Sequence, residues 1–188
     1  MSSANAAKTA GFDVQADEFL AVFPTEIGWM GITGNAGIVH SAYVGHSSAA
    51  SVRTAVRRAR TDAGSAEFPV ESDWHPQLRS ALQDYARGIP VDFSSFKLQL
   101  PERTPFRDKV LAVTKRLKYG ETTTYGQLAR DVGHPGAARA VGTVMSTNRF
   151  PIIIPCHRVL AAGGKLGGYT SPAGTDLKQR LLDMEQSA

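Results

Sequence analysis

The chain has 188 residues, enough for one compact unit or two small ones, with 42% apolar and 20% charged residues and a net charge of +4. Leu, Ile, Val and Phe recur along its whole length, which excludes wholesale disorder, and no apolar run approaches the roughly 20 residues of a membrane span. A lone cysteine, Cys156, excludes an internal disulfide and a multi-cysteine zinc site, leaving its thiol either a small buried apolar group or a reagent.

The opening residues lack the basic start and apolar stretch of a secretory signal, so the expected setting is a reducing one, cytoplasmic or, in a eukaryote, nuclear. Residues 1–103 carry nine Lys/Arg against eleven Asp/Glu, a balance of −2, whereas residues 104–188 carry twelve against six, a balance of +6. A basic C-terminal part points to a polyanionic partner, although a scattered solvated surface accounts for the same charge.

Residues 1–16 are rich in Ala, Ser and Asn without periodicity and read as a flexible terminus. The short apolar runs 19–23, 27–32 and 37–44 are separated by Pro24-Thr25 and Gly34-Asn35-Ala36-Gly37, which predicts an antiparallel meander. Residues 47–64 predict a helix with Val52, Val56 and Ala59 on one face. Its Arg53, Arg57, Arg58 and Arg60 read as a solvated face, because no aromatic or amide partners accompany them. A helix over 75–87, stopped by Gly88-Ile89-Pro90, and a strand over 95–100 follow.

Pro101-Glu102-Arg103-Thr104-Pro105 breaks both periodicities where the charge balance switches, which places a boundary between domains 17–103 and 104–188. Thr104 then caps an amphipathic helix with Pro105 at its first position and Phe106, Val110, Val113 and Leu117 on its apolar face. Thr124 caps a short helix, 125–132, that ends at Gly133, and Pro135 starts a second that runs to about residue 148. The pair spells a helix-turn-helix, a hairpin that DNA readers share with ordinary helical cores. In the second helix Arg139 stands alone among Gly136, Ala137, Ala138, Ala140 and Gly142. Each helical glycine costs about 1 kcal/mol relative to alanine, so either approach to a duplex or tight helix packing must account for them.

Residues 151–154 read as a buried strand that Pro155 ends just before Cys156. His157 and Arg158 follow directly, and imidazole and cationic neighbours favour a thiolate. Adjacent residues on an extended segment point to opposite faces, so His157 is expected to act on the thiol through water. The carboxylates available to orient that histidine are Asp176, Asp183 and Glu185.

From about Thr104 to Glu185 the chain closely resembles the DNA-binding and catalytic domain of 6-O-alkylguanine-DNA alkyltransferases. The resemblance rests on Ile154-Pro155-Cys156-His157-Arg158-Val159, on Thr124-Tyr125-Gly126-Gln127-Leu128-Ala129, on Ala137-Ala138-Arg139-Ala140-Val141-Gly142, and on Asn148 eight residues before the cysteine. Residues 19–100 resemble, more loosely, the family's N-terminal domain. The implied fold is α/β (α+β): a ribonuclease-H-like domain with an antiparallel sheet plus helices, then a mainly helical, winged-helix-like domain with the helix-turn-helix.

The resemblance implies a monomer that binds double-stranded DNA through the minor groove, flips an alkylated guanine and moves its alkyl group irreversibly onto Cys156. His157 is then the water-linked base, Glu185 its orienting carboxylate, Tyr125 the proton donor to the leaving guanine, and Lys178 a further catalytic residue. Arg139 fills the vacated place in the stack. Thr124, Tyr125, Ala138, Ala140 and Gly142 join it on the DNA face. Met145, Asn148, Val159, Tyr169 and Thr170 line the base pocket, with the carbonyls of Cys156 and Val159 reading the guanine amino group and Asn148 holding a turn. No metal or other cofactor and no membrane is implied.

The chain departs from the family at Thr170-Ser171-Pro172-Ala173-Gly174, where a glycine pair is usual, and at Arg149, where proline is common. The first change alters the pocket roof; the second adds a cation expected to face solvent. The rival readings are a lesion-binding relative without alkyl transfer, which Cys156 opposes, and a cysteine hydrolase, which usually recruits its histidine from far along the chain.

Overall fold

A computed structural model describes residues 18–100 and 104–187. The terminus expected at 1–16 and the break at Pro101, Glu102 and Arg103 lie outside the described residues.

The meander forms as its turn residues predict. Strands β1 (Phe19–Thr25), β2 (Gly28–Asn35) and β3 (Ile38–His46) pair antiparallel, with Phe19 opposite Gly34 and Ile32 opposite Ala42. Helix α1 (Ala49–Asp62) starts at Ser48, whose hydroxyl accepts from the Ser51 amide while the Ser51 hydroxyl accepts from the Ser48 amide. Two-residue strands extend the sheet, β4 (Val70–Glu71) parallel to β1 and β5 (Lys97–Leu98) parallel to β3. The resulting order is β4-β1-β2-β3-β5.

The strand period of two sends Leu20 toward Val52 and Val56 of α1, and its neighbour Ala21 to the opposite face. There it meets the main core, which includes Leu78 and Leu82 of α2 (Pro76–Ala86). The arginines of α1 lie on a largely solvated face, as expected, and each finds a partner there, Arg58 reaching Asp62 at 3.9 Å. Arg53 pairs with Glu71, Arg60 with Glu18, and Arg57 lies 4.8 Å over the Phe68 ring.

Thr104 accepts from the Arg107 amide and opens α3 (Pro105–Lys115). The two-residue strand β6 (Thr123–Thr124) leads into α4 (Tyr125–Asp131), capped by the Thr124 hydroxyl, and α5 (Ala138–Ser146) completes the helix-turn-helix. Strand β7 (Val159–Leu160) pairs parallel with β6, and α6 (Gly174–Gln186) closes the chain. The main core runs through both halves, from Ala21 and Leu82 to Val110, Leu128, Val141 and Leu181. Across the junction the Ala42 amide donates to the Arg149 carbonyl (2.8 Å), Arg180 donates to the Glu26 carbonyl (2.6 Å), and Gly45 of β3 leaves no room for a Cβ beside Leu177 of α6. Among the described residues no helix is long and apolar enough to cross a membrane.

Three expectations need correction. The strand at 95–100 shrinks to Lys97–Leu98. The second helix of the hairpin begins at Ala138 and not at Pro135, because Gly136 takes φ 92° and turns the chain first. Residues 151–154 are buried, as an apolar run should be, but they form turns and no strand. Prolines on both sides remove two ladder donors, and Ile152 takes a left-handed φ of 72°.

Candidate active site

The turn at 151–154 delivers the thiol. The Ile154 amide donates back to the Phe150 carbonyl (2.8 Å), and Asn148 bridges the same loop by donating to the Ile154 carbonyl (2.9 Å) while accepting from the Phe150 amide (3.0 Å). Residues Cys156–Arg158 then form a 3₁₀ turn and no extended segment. The rule of opposite faces therefore does not govern Cys156 and His157.

Cys156 is free and buried. Burial pushes its thiol up, against the opposing pull of a hydrogen bond from Asn148 and the charge of Lys178. Arg158, expected to activate the thiol, turns away from it. Its guanidinium donates to Glu185 through Nε (2.9 Å to Oε2) and Nη2 (2.8 Å to Oε1), and through Nη1 to the Leu117 carbonyl (2.6 Å). Lys178 supplies the nearby cation. Its fully buried ammonium donates to the Val159 carbonyl (2.7 Å) and lies 5.8 Å from the centre of the Tyr125 ring.

Of the three carboxylates that could orient His157, the structure selects Glu185. His157 Nε2 lies 2.9 Å from Glu185 Oε1, with both side chains buried. A carboxylate held by an arginine can only accept, so the proton belongs on Nε2 and Nδ1 is the basic nitrogen. Nδ1 is itself buried, with no protein partner among the described residues. Burial lowers the histidine's proton affinity, and Glu185 partly restores it. Hydrogen bonds from His157 and Arg158 hold the Glu185 carboxyl well below the usual carboxylate range, in spite of its burial.

Tyr85 of α2, which sequence reasoning missed, joins this cluster from the other half of the chain. Its hydroxyl donates to Glu185 Oε1 and lies 3.1 Å from His157 Nε2. The available signal was its place on a stripe with Leu78 and Leu82 at helical spacing, since a buried tyrosine hydroxyl needs a partner.

The remaining predicted residues divide into three places. Tyr125 is half-buried, and a Cβ at Gly167 would run into its hydroxyl, so the loop before Tyr169 lies directly against it. The Tyr169 hydroxyl is buried without a protein partner among the described residues, as is Ser171 Oγ in the altered roof. Thr170 donates to the Ser146 carbonyl (2.9 Å), tying that roof to α5, and Met145 packs inward, 3.9 Å from the Thr114 hydroxyl. The Cys156 carbonyl accepts from the Val159 amide that caps its 3₁₀ turn. Both carbonyls expected to read a base are thus engaged with the protein, each with one lone pair over.

The outer face of the helix-turn-helix is a shallow cleft lined by Thr124, Tyr125, Gly126, Arg130, Ala138 and Arg139, with residues 161–163 opposite. Arg139 is exposed on it, Ala140 is exposed beside it in the chain, and Val141, Val144 and Met145 face the core. Gly142 decides between the two readings of the glycine-rich helix: nothing in the protein lies within 4 Å of where its Cβ would be. Internal packing does not require that glycine. Arg149 is exposed, as expected, beside a cavity bordered by Tyr43, His46 and Ser171.

Known proteins resemble this chain in both sequence and fold. The family model described as 6-O-methylguanine DNA methyltransferase, DNA binding domain, matches residues 105–187. A methylated-DNA–protein-cysteine methyltransferase of Methanosarcina acetivorans is 47% identical over 111 residues, covering 58% of this chain and 70% of that protein. The protein of the same name from Mycobacterium tuberculosis is 43% identical over 123 residues, covering 63% and 73%. Among solved structures, the M. tuberculosis OGT in complex with DNA superposes with a TM-score of 0.71 at 29% identity, covering 90% of this chain and 93% of that one. The O6-methylguanine-DNA methyltransferase of the hyperthermophilic archaeon Pyrococcus kodakaraensis gives 0.70 at 29% identity, covering 88% and 98%.

Proposed function

The chain belongs to the methylated-DNA–protein-cysteine methyltransferase family, and from that premise we propose that it repairs DNA by moving the alkyl group of a flipped 6-O-alkylguanine onto Cys156. The observation that carries this reading is the buried pair of Glu185 and His157, the latter directly after the lone thiol in the 3₁₀ turn, with Lys178, which lies over the Tyr125 ring, exerting its charge on that thiol.

The step is an in-line displacement. The thiol proton leaves through water to Nδ1 of His157, and the sulfur attacks the alkyl carbon. A carbon–sulfur bond forms as the bond from that carbon to guanine O6 breaks. Tyr125 gives its phenolic proton to a ring nitrogen of the leaving guanine, so that a neutral base departs. Burial raises the affinity of that phenol for its proton, which keeps it protonated at neutral pH and makes it a weaker acid, so the proton moves only as negative charge develops on the departing guanine. Lys178, within reach of the sulfur's field, favours the thiolate. A thioether has no route back, so each molecule acts once.

DNA is the partner, and the open face of α5 supports approach through the minor groove. Arg139 takes the place of the extruded base, with Thr124, Ala138, Ala140 and Gly142 against the backbone and groove floor. The pocket for the flipped base is formed by Asn148, Val159, Tyr169 and Thr170, with Met145 behind it. The boundary between 17–103 and 104–188 divides a supporting sheet domain from the one that performs the transfer, and the chain works as a monomer. Cys156→Ser tests the reading: it should still bind a duplex containing 6-O-methylguanine but leave the base methylated. Demethylation by that variant would refute the assignment.

A further inference from the structure

We propose that Tyr85 is a positioning residue for the alkyl transfer, its hydroxyl clamping Glu185 and His157 together so that Nδ1 of His157 stays the basic nitrogen; this rests on the reading of Cys156 as alkyl acceptor.

The geometry assigns each proton. Tyr85 has one hydroxyl hydrogen, and it goes to Glu185 Oε1. The Tyr85 hydroxyl oxygen, 3.1 Å from His157 Nε2, therefore has only lone pairs to offer the imidazole, so Nε2–H faces two acceptors, the tyrosine oxygen and the carboxylate. The carboxylate alone is a diluted partner. Arg158 reaches it through Nε and Nη2, and the Gly120 amide takes Oε2 at 3.1 Å. Tyr85 is the neutral oxygen in the cluster, and it supports charge on the imidazole without bringing a charge of its own.

Packing fixes the hydroxyl in place. The Tyr85 side chain is fully buried, with its ring edge-on to Phe93 (6.0 Å), Tyr119 (5.9 Å) and His157 (6.3 Å). The charged and titratable groups around His157 are Glu185 and Lys178 from α6, Arg158 beside it, and Tyr85 from α2; Cys156 is its chain neighbour. Lys178 and Arg158 oppose an imidazolium, while Glu185 and the Tyr85 oxygen favour it. The sheet domain thus supplies a part of the relay, one hundred residues from Glu185 in sequence.

The test compares the wild type, Tyr85→Phe and Phe93→Leu, the last loosening the same ring cluster while leaving the hydroxyl. Single-turnover methyl transfer is followed against pH on a saturating duplex that contains 6-O-methylguanine, with duplex affinity measured separately. Tyr85→Phe should react about tenfold more slowly, the worth of one hydrogen bond. Its pH of half-maximal rate should move down, because the imidazole loses an acceptor that favours its charged form, and its affinity should stay unchanged. Phe93→Leu should melt earlier and keep the wild-type pH of half-maximal rate. Nitrogen-15 spectra of the wild-type histidines give an independent reading that does not need the variant to fold, with the His157 proton expected on Nε2. A wild-type rate and pH profile in Tyr85→Phe, equal pH shifts in both variants, or a proton on Nδ1 would overturn the proposal and leave the transfer reaction standing. A wild type that transfers no methyl group overturns the reading of Cys156, and this proposal with it.

Discussion

Asn148 donates through Nδ2 to the carbonyl of Ile154 at 2.9 Å, spanning the turn that places the thiol two residues later. Its Oδ1 accepts from the Phe150 amide at 3.0 Å, so one side chain substitutes for the strand ladder that this segment lacks. Asn148→Ala should lower unfolding stability by about 2 kcal/mol, at about 1 kcal/mol per hydrogen bond. It should also slow alkyl transfer by more than it weakens duplex binding. Thermal melting and single-turnover rates check both.

Gly142 offers a cleaner separation of folding from recognition, because its Cβ position is open. Gly142→Ala should raise helix stability by up to about 1 kcal/mol. Gly142→Leu should fold equally well but bind duplexes more weakly whatever their sequence, because the added bulk projects from the face proposed to meet DNA. Circular dichroism and a duplex titration distinguish this outcome from a packing role, in which both variants would melt early.

The legible parts of the fold are those fixed by local chemistry. Ser48, Thr104 and Thr124 cap the helices that their positions announce, and Gly88 and Gly133 turn the chain at positive φ after the helices they were expected to end. The meander shows in its punctuation. The 151–154 segment was misread because burial and β-branched composition are common to strands and packed turns, and only tertiary contacts through Asn148 choose between them. Arg158 misled for a related reason. A cation next to a cysteine in sequence is not next to its sulfur when a 3₁₀ turn rotates it toward Glu185. Tyr85 was invisible because its partners come from distant helices.

The Arg158–Glu185 pair predicts a large stability effect. Both side chains are buried, so Glu185→Gln leaves a guanidinium without its counter-charge and should cost about 3–5 kcal/mol. Chemical denaturation measures it; a loss below about 1 kcal/mol, the scale of an exposed pair, would contradict the buried arrangement.

Two groups of the relay contribute to the pH dependence of stability. Burial depresses the proton affinity of His157 in the folded chain, so the unfolded chain takes up a proton first as pH falls below about 6.5, and stability drops from there. Glu185 is held low when folded, so its contribution is complete above about pH 4.3 and is lost as pH falls through its folded value. Melting temperature should therefore plateau near neutrality and decline in two stages on acidification. His157→Gln should flatten the first stage, and an unchanged first stage would assign it to other histidines.

Arg139 is exposed on α5, the helix proposed to meet DNA, and is distant from the relay in its proposed role. Arg139→Ala should slow repair of 6-O-methylguanine within a duplex while leaving reaction with the free methylated base largely intact. Equal losses on both substrates would remove it from base extrusion.

The central claim, that Cys156 is spent once on an alkylated base, is tested most directly by weighing the intact protein after incubation with a duplex that carries a single 6-O-methylguanine. The expected result is a gain of one methyl group, located on the peptide containing Cys156, with the reaction stopping at one equivalent of repaired duplex. Repair beyond one equivalent, or repair with no change in protein mass, would contradict it.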